Sequence, residues 1–118
     1  MNTARGMCGT GGTQTAGLAF GGYSAPSRRD ETEEYNGSSW SEQNNLSTQN
    51  RQLAGAGTQT AGLAAGGYTT TVVATSEEYN GTSWTEVGDV NTARDFGGTA
   101  GSSTKALFYG GNMDAPFR

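Results

Sequence analysis

Apolar residues in this chain come in runs of no more than four or five and alternate with small or polar ones. No segment shows the i, i+3, i+4 spacing of an amphipathic helix, whereas stretches such as Gly17-Leu18-Ala19-Phe20 sit between glycine- and threonine-rich punctuation. The pattern predicts short β-strands throughout, and it repeats. Gly12-Thr13-Gln14-Thr15-Ala16-Gly17-Leu18-Ala19 through Tyr23 returns almost unchanged at 57–68, and Glu33-Glu34-Tyr35-Asn36-Gly37 through Trp40 returns at 77–84. Asn2-Thr3-Ala4-Arg5 reappears as Asn91-Thr92-Ala93-Arg94. Self-similarity at a period of roughly 44 residues divides the chain into about two and a half units. Their spans are 1–46, 47–90 and a partial unit at 91–118.

Each unit reads as four strands. Strand a is expected near 5–11, 51–57 and 94–100, running from an arginine through Gly and Ala. Strand b is Ala-Gly-Leu-Ala-Phe-Gly-Gly or its counterpart and ends in a double glycine. Strand c carries Glu-Glu-Tyr and strand d carries the Trp, joined across Asn36-Gly37 and Asn80-Gly81. Asn-Gly between extended segments is a strong hairpin signal, since both residues tolerate positive φ. Four strands in 40–50 residues is the size of a β-propeller blade. A β-trefoil, with three units of about 40 residues, is the rival all-β architecture, but the third unit here lacks its Tyr-Asn-Gly…Trp half.

Composition explains why the strands are so lean. Among 118 residues there are 13 Leu, Val and Phe and no Ile, against 47 Gly, Thr and Ser. So little aliphatic bulk would suit a disordered chain, yet only 15% of residues are charged and the net charge is −4. Order must then come from backbone pairing and close packing of small residues, with Tyr35, Trp40, Tyr79 and Trp84 supplying the bulk farther out. The acidic balance argues against a nucleic-acid partner, and no apolar run is long enough for membrane insertion. Histidine is absent, which removes Ser–His and Cys–His catalysis and the commonest transition-metal ligand. Neither a metal nor a cofactor is called for. The lone Cys8, aligned through the recurring arginines with Ala54, reads as a small core residue.

A double glycine, then a Tyr, then a Trp resembles the repeat of kelch-type β-propellers. The residues that carry the likeness are Gly21-Gly22…Tyr35…Trp40, Gly66-Gly67…Tyr79…Trp84 and a truncated Gly110-Gly111. The full phrases are most similar to kelch-like repeat proteins of marine viral and bacterial metagenomes. The resemblance implies an all-β ring of kelch-like blades, with small residues on the innermost strands. It also implies a non-catalytic scaffold for binding or display in a virion, tail-fibre or surface-adhesin setting. Two and a half units leave open strand edges, so the ring would be completed by homo-oligomerisation or by a longer parent chain. A glycan-processing propeller enzyme is the alternative. However, Tyr79 and Glu77 stand where a sialidase-type turn needs Asp and Ser. A self-assembling duplicated fragment without a dedicated function is the third reading.

Candidate binding residues fall on the loops. The segments after the double glycine (23–31, 69–76 and 112–118) differ most between units, and Arg28 and Arg29 in the first form a basic fork suited to an anionic or carbohydrate group. Arg5, Arg51 and Arg94 recur at the start of strand a. By the resemblance they could ring a channel mouth and meet a carboxylate of a carbohydrate or protein partner; structurally, a recurring arginine caps carbonyls or pairs with a neighbouring acid. Asn36, Asn45 and Asn80 head formal glycosylation sequons, and for Asn36 and Asn80 the hairpin turn is the stronger reading. Glu33-Glu34 and Glu77-Glu78 cannot act as an acid/base couple, because adjacent strand residues point to opposite faces; they are expected to be solvated rim charges.

Overall fold

The computed structural model describes residues 1–2, 4–95, 97–102 and 105–109, and within these the chain is all-β, with antiparallel sheets and no helix. Strands β1 (Gly9–Gly12), β2 (Gly17–Phe20), β5 (Thr32–Tyr35) and β6 (Trp40–Gln43) form a four-stranded meander in that order. A two-residue-strand hairpin, β3 (Tyr23–Ser24) with β4 (Ser27–Arg28), interrupts it between the second and third strands. The second unit repeats the meander as β7 (Ala54–Thr58), β8 (Ala61–Ala65), β9 (Ser76–Tyr79) and β10 (Trp84–Val87). The third contributes the hairpin of β11 (Gly98–Gly101) with β12 (Ala106–Tyr109). Gly110 and Gly111 lie outside the described residues, and the described sheets do not close into a ring.

The expected strands c and d form where the sequence places them, but strand a starts later. Met7 and Gln52 adopt φ of 57° and 61°, a left-handed conformation that breaks extended chain. The arginines therefore precede strand a instead of opening it. Register also corrects the alignment of the units. Gly9 faces Phe20 and Ala54 faces Ala65, so Gly9 and Ala54 are equivalent. Cys8 consequently corresponds to Leu53, not Ala54. The counterpart of Arg5 is Asn50, and Arg51 occupies the position of Gly6. The Asn-Gly turns work differently from expectation too. Only the glycine takes positive φ, while Asn36 Oδ1 accepts from the amides of Ser38 and Ser39, as Asn80 Oδ1 does from Thr82 and Ser83. The asparagine closes a four-residue loop through its side chain.

The sheets stack face to face. β7 lies against β1 on one side and β11 on the other. These strands can approach because they are nearly bare: a Cβ on Gly55 would sit 2.5 Å from the Thr10 carbonyl oxygen and 2.6 Å from Phe20. Farther out, Leu18 and Phe20 of the first sheet meet Tyr79 and Trp84 of the second in a core that also contains Leu46, Leu53 and Ala64. The Phe20 and Trp84 rings are 4.8 Å apart at 60°, the tilted geometry that aromatic pairs favour. Polar groups that this contact buries are matched. Trp84 Nε1 donates to Thr32 Oγ1 at 2.8 Å, and the Tyr79 hydroxyl donates to Glu34 Oε2 at 2.9 Å. Gln59 Nε2 donates to the carbonyls of Gly17 and Tyr35, both at 2.8 Å. Desolvation, then the hydrogen bond to Glu34 and its charge, push the Tyr79 phenol well above its ordinary range.

Candidate loop-end binding site

The loops between b and c and those leading into a share one end of the molecule. The double glycine brings them there. Gly21 and Gly22 take φ of 66° and 106°, and a Cβ on Gly21 would lie 2.7 Å from the Asn50 carbonyl oxygen of the following unit. Only a residue without a side chain can turn so close to its neighbour. Gly22 N donates to that carbonyl at 2.7 Å, and Tyr23 then pairs through its backbone with Gly6. In the second unit Gly67 N donates to the Arg94 carbonyl, and Tyr68 pairs with Arg51.

This arrangement sets Arg51 against two aromatic rings. Its guanidinium carbon lies 4.8 Å from the Tyr23 centroid and 5.0 Å from that of Tyr68, within cation–π range of both. Arg28 stands opposite Tyr23 in the β3–β4 hairpin, so Arg28 and Arg51 have this tyrosine as a common neighbour. All four residues are half-buried. Among the described residues neither arginine has a carboxylate at ion-pair distance, and the Nε of each is buried without a hydrogen-bond partner.

The other arginines are engaged differently. Arg5 is a structural cation: its side chain is fully buried, with Nη2 on Glu33 Oε2 at 3.1 Å and Nη1 on the Glu31 carbonyl at 3.0 Å. Arg29 pairs with Glu31. Burial raises the Glu31 pKa, but hydrogen bonds from its own backbone amide, from Arg29 and from the Asp30 amide outweigh it and hold the carboxyl below its ordinary value. Arg94 is half-buried and donates Nε to the Thr92 carbonyl at 3.3 Å. Residues 112–118, the third variable segment, lie outside the described residues. Arg28, Arg29 and Arg51 thus gather at one end, whereas Arg5 is committed to the interior.

The acidic pairs depart from expectation. Glu33 and Glu34 do point to opposite faces, but Glu33 is fully buried under Arg5 and the Asn2 amide, and Glu34 takes the Tyr79 hydroxyl. Glu77 is buried as well, accepting from Ser47 N at 2.9 Å. Segments leading into each unit cross these positions and supply donors, so the first acid of each pair is an anchor and not a solvated charge. Tyr23 and Tyr68 are the site residues that sequence reasoning did not single out. Their recurrence directly after the double glycine of both full units is the signal that the sequence offers. No protein-family model matches the chain, and a search of curated proteins finds no match.

Proposed function

We propose that the chain is a non-catalytic repeat scaffold whose sheets are blades of a kelch-like β-propeller. Its loop end binds an anionic group on a carbohydrate or protein partner, and copies of the chain associate to complete the ring. The packing of β1, β7 and β11, the first strands of successive units, supports the blade reading, since a propeller converges on its narrow innermost strands. The binding reading rests on one observation: Arg51, in contact with the rings of Tyr23 and Tyr68 and close to Arg28, has no carboxylate at ion-pair distance among the described residues of a chain of net charge −4. Aromatic rings against a guanidinium do not use its N–H donors, so the Nη groups of Arg51 would meet a carboxylate in the plane of the fork. Such a site suits a display scaffold in the virion, tail-fibre or adhesin setting that the kelch-like resemblance implies.

Calorimetric titration with sialyllactose, neutral lactose and a glutamate-rich peptide tests this. The expected result is saturable binding of a carboxylate-bearing probe, no binding of lactose and no product by chromatography. Arg51→Ala should weaken binding at least tenfold, equivalent to about 1.4 kcal/mol. Failure of both carboxylate probes to bind, or turnover of either, would overturn the reading.

A further inference from the structure

Where the two full units meet, Leu18 of β2 fills the space that the missing side chain of Gly62 leaves beside Tyr79; a Cβ on Gly62 would lie 2.9 Å from Leu18 Cδ2. Among the described residues both halves of this knob-and-socket recur without a partner. Gly12, Gly57 and Gly101 close the a–b turns at equivalent positions, facing Gly17, Gly62 and Ala106. The residue after each, Leu18, Leu63 and Leu107, is therefore also equivalent. Leu18 is buried, but Leu107 is 65% exposed on the hairpin of β11 and β12. The socket is repeated at Gly17: among the described residues its neighbours within 4 Å of a built Cβ are Thr13 and Tyr35 of its own unit, at 3.4 and 3.6 Å. Around it Tyr35 and Trp40 form the same ring pair as Tyr79 and Trp84, but half-exposed.

We infer that the Leu107 face of the third unit docks on the Gly17–Tyr35–Trp40 face of a second copy of this chain. The inference deepens the self-association reading above and rests on it. The second copy is favoured over any other occupant because the contact continues an interface the molecule already makes, with knob and socket at the same repeat positions. Leu107 enters beside Gly17 as Leu18 enters beside Gly62. The exposed Gln14, equivalent to Gln59, donates to the Ala106 carbonyl of the other copy, as Gln59 donates to Gly17. The two faces are different surfaces, so the contact is head-to-tail: it closes into a ring where the rotation permits and extends where it does not.

Sedimentation velocity on the wild type, Leu107→Glu and Gly17→Val separates the possibilities, with circular dichroism on each to confirm the fold. Gly17 has no atom closer than 3.4 Å to a built Cβ, so valine blocks the socket without a clash at Cβ. Should Gly17→Val fail to fold, Trp40→Ser takes its place. The expected result is an assembly of several chains for the wild type and a single-chain mass for each variant. An equimolar mixture of the two variants should recover a two-chain species, because each supplies the face the other lacks. A wild-type assembly that Leu107→Glu leaves unchanged overturns this contact while sparing self-association. Loss of assembly in both variants without recovery on mixing overturns the head-to-tail arrangement. A single-chain wild type refutes the self-association reading, and this contact with it.

Discussion

Tyr35 with Trp40 and Tyr79 with Trp84 are the same motif twice, with ring centroids 5.1 and 4.9 Å apart. Their strands pair in the same register, Tyr35 facing Trp40 and Tyr79 facing Trp84. Yet Tyr79 and Trp84 are 1% and 8% exposed, while Tyr35 and Trp40 are half-exposed. The difference lies in what stands in front of them. Phe20, Thr32 and Glu34 of the preceding unit cover the second pair and satisfy its indole N–H and its hydroxyl. Among the described residues no unit covers the first. Local sequence therefore sets the geometry of the pair, and the neighbouring unit sets its burial and energetic weight.

The two tryptophans should respond most differently to substitution. Trp84→Ala empties a buried site and should cost about 3–5 kcal/mol. At concentrations where the chain is a monomer, Trp40→Ala should cost only about 1 kcal/mol. Urea midpoints with unchanged slopes check both, and equal losses would mean that covering by the neighbour contributes nothing.

The tyrosines should differ by less. Tyr79→Phe removes a hydrogen bond to a carboxylate and should lose about 1–2 kcal/mol at neutral pH, against about 0.5 kcal/mol or less for Tyr35→Phe. The folded pKa of Tyr79 lies above its ordinary value of 10.0. Above that pH the unfolded chain loses the proton first, so the stabilisation is intact below about pH 10 and declines as pH rises toward the folded value. Unfolding titrations across that window should show a steeper alkaline decline for the wild type than for Tyr79→Phe. The smallest effect belongs to the glutamines: Gln59→Ala should cost about 1 kcal/mol through two carbonyl contacts, and Gln14→Ala nothing measurable in the monomer. Thermal midpoints of the two variants decide this.

These contrasts also mark what the sequence could convey. The period, the c and d strands and the positions of the double glycines follow from residue types that constrain their own backbone: Gly after a short apolar run, Asn-Gly between extended segments. The start of strand a was hidden because Met7 and Gln52 take left-handed φ against their own preference, and nothing local announces that. Burial of Glu33 depends on Arg5 and the Asn2 amide arriving from 28 and 31 positions away. The stacking of Arg51 on Tyr23 and Tyr68 likewise joins two units. Aligning the arginines by residue type slipped the register by one, whereas strand pairing counts positions from the a–b turn.

The central place of β7 carries a consequence for how the molecule comes apart. Amides exchange with solvent through local openings, whose free energies vary along a chain with the contacts that must be broken. Freeing β7 requires losing its packing on both β1 and β11, whereas the β5–β6 hairpin, with its half-exposed aromatic pair, is held mainly on one side. Opening is therefore expected to proceed from the flanks toward the middle unit. That unit should be the last segment to lose protection against exchange or a protease, and the one from which refolding of its neighbours would be templated.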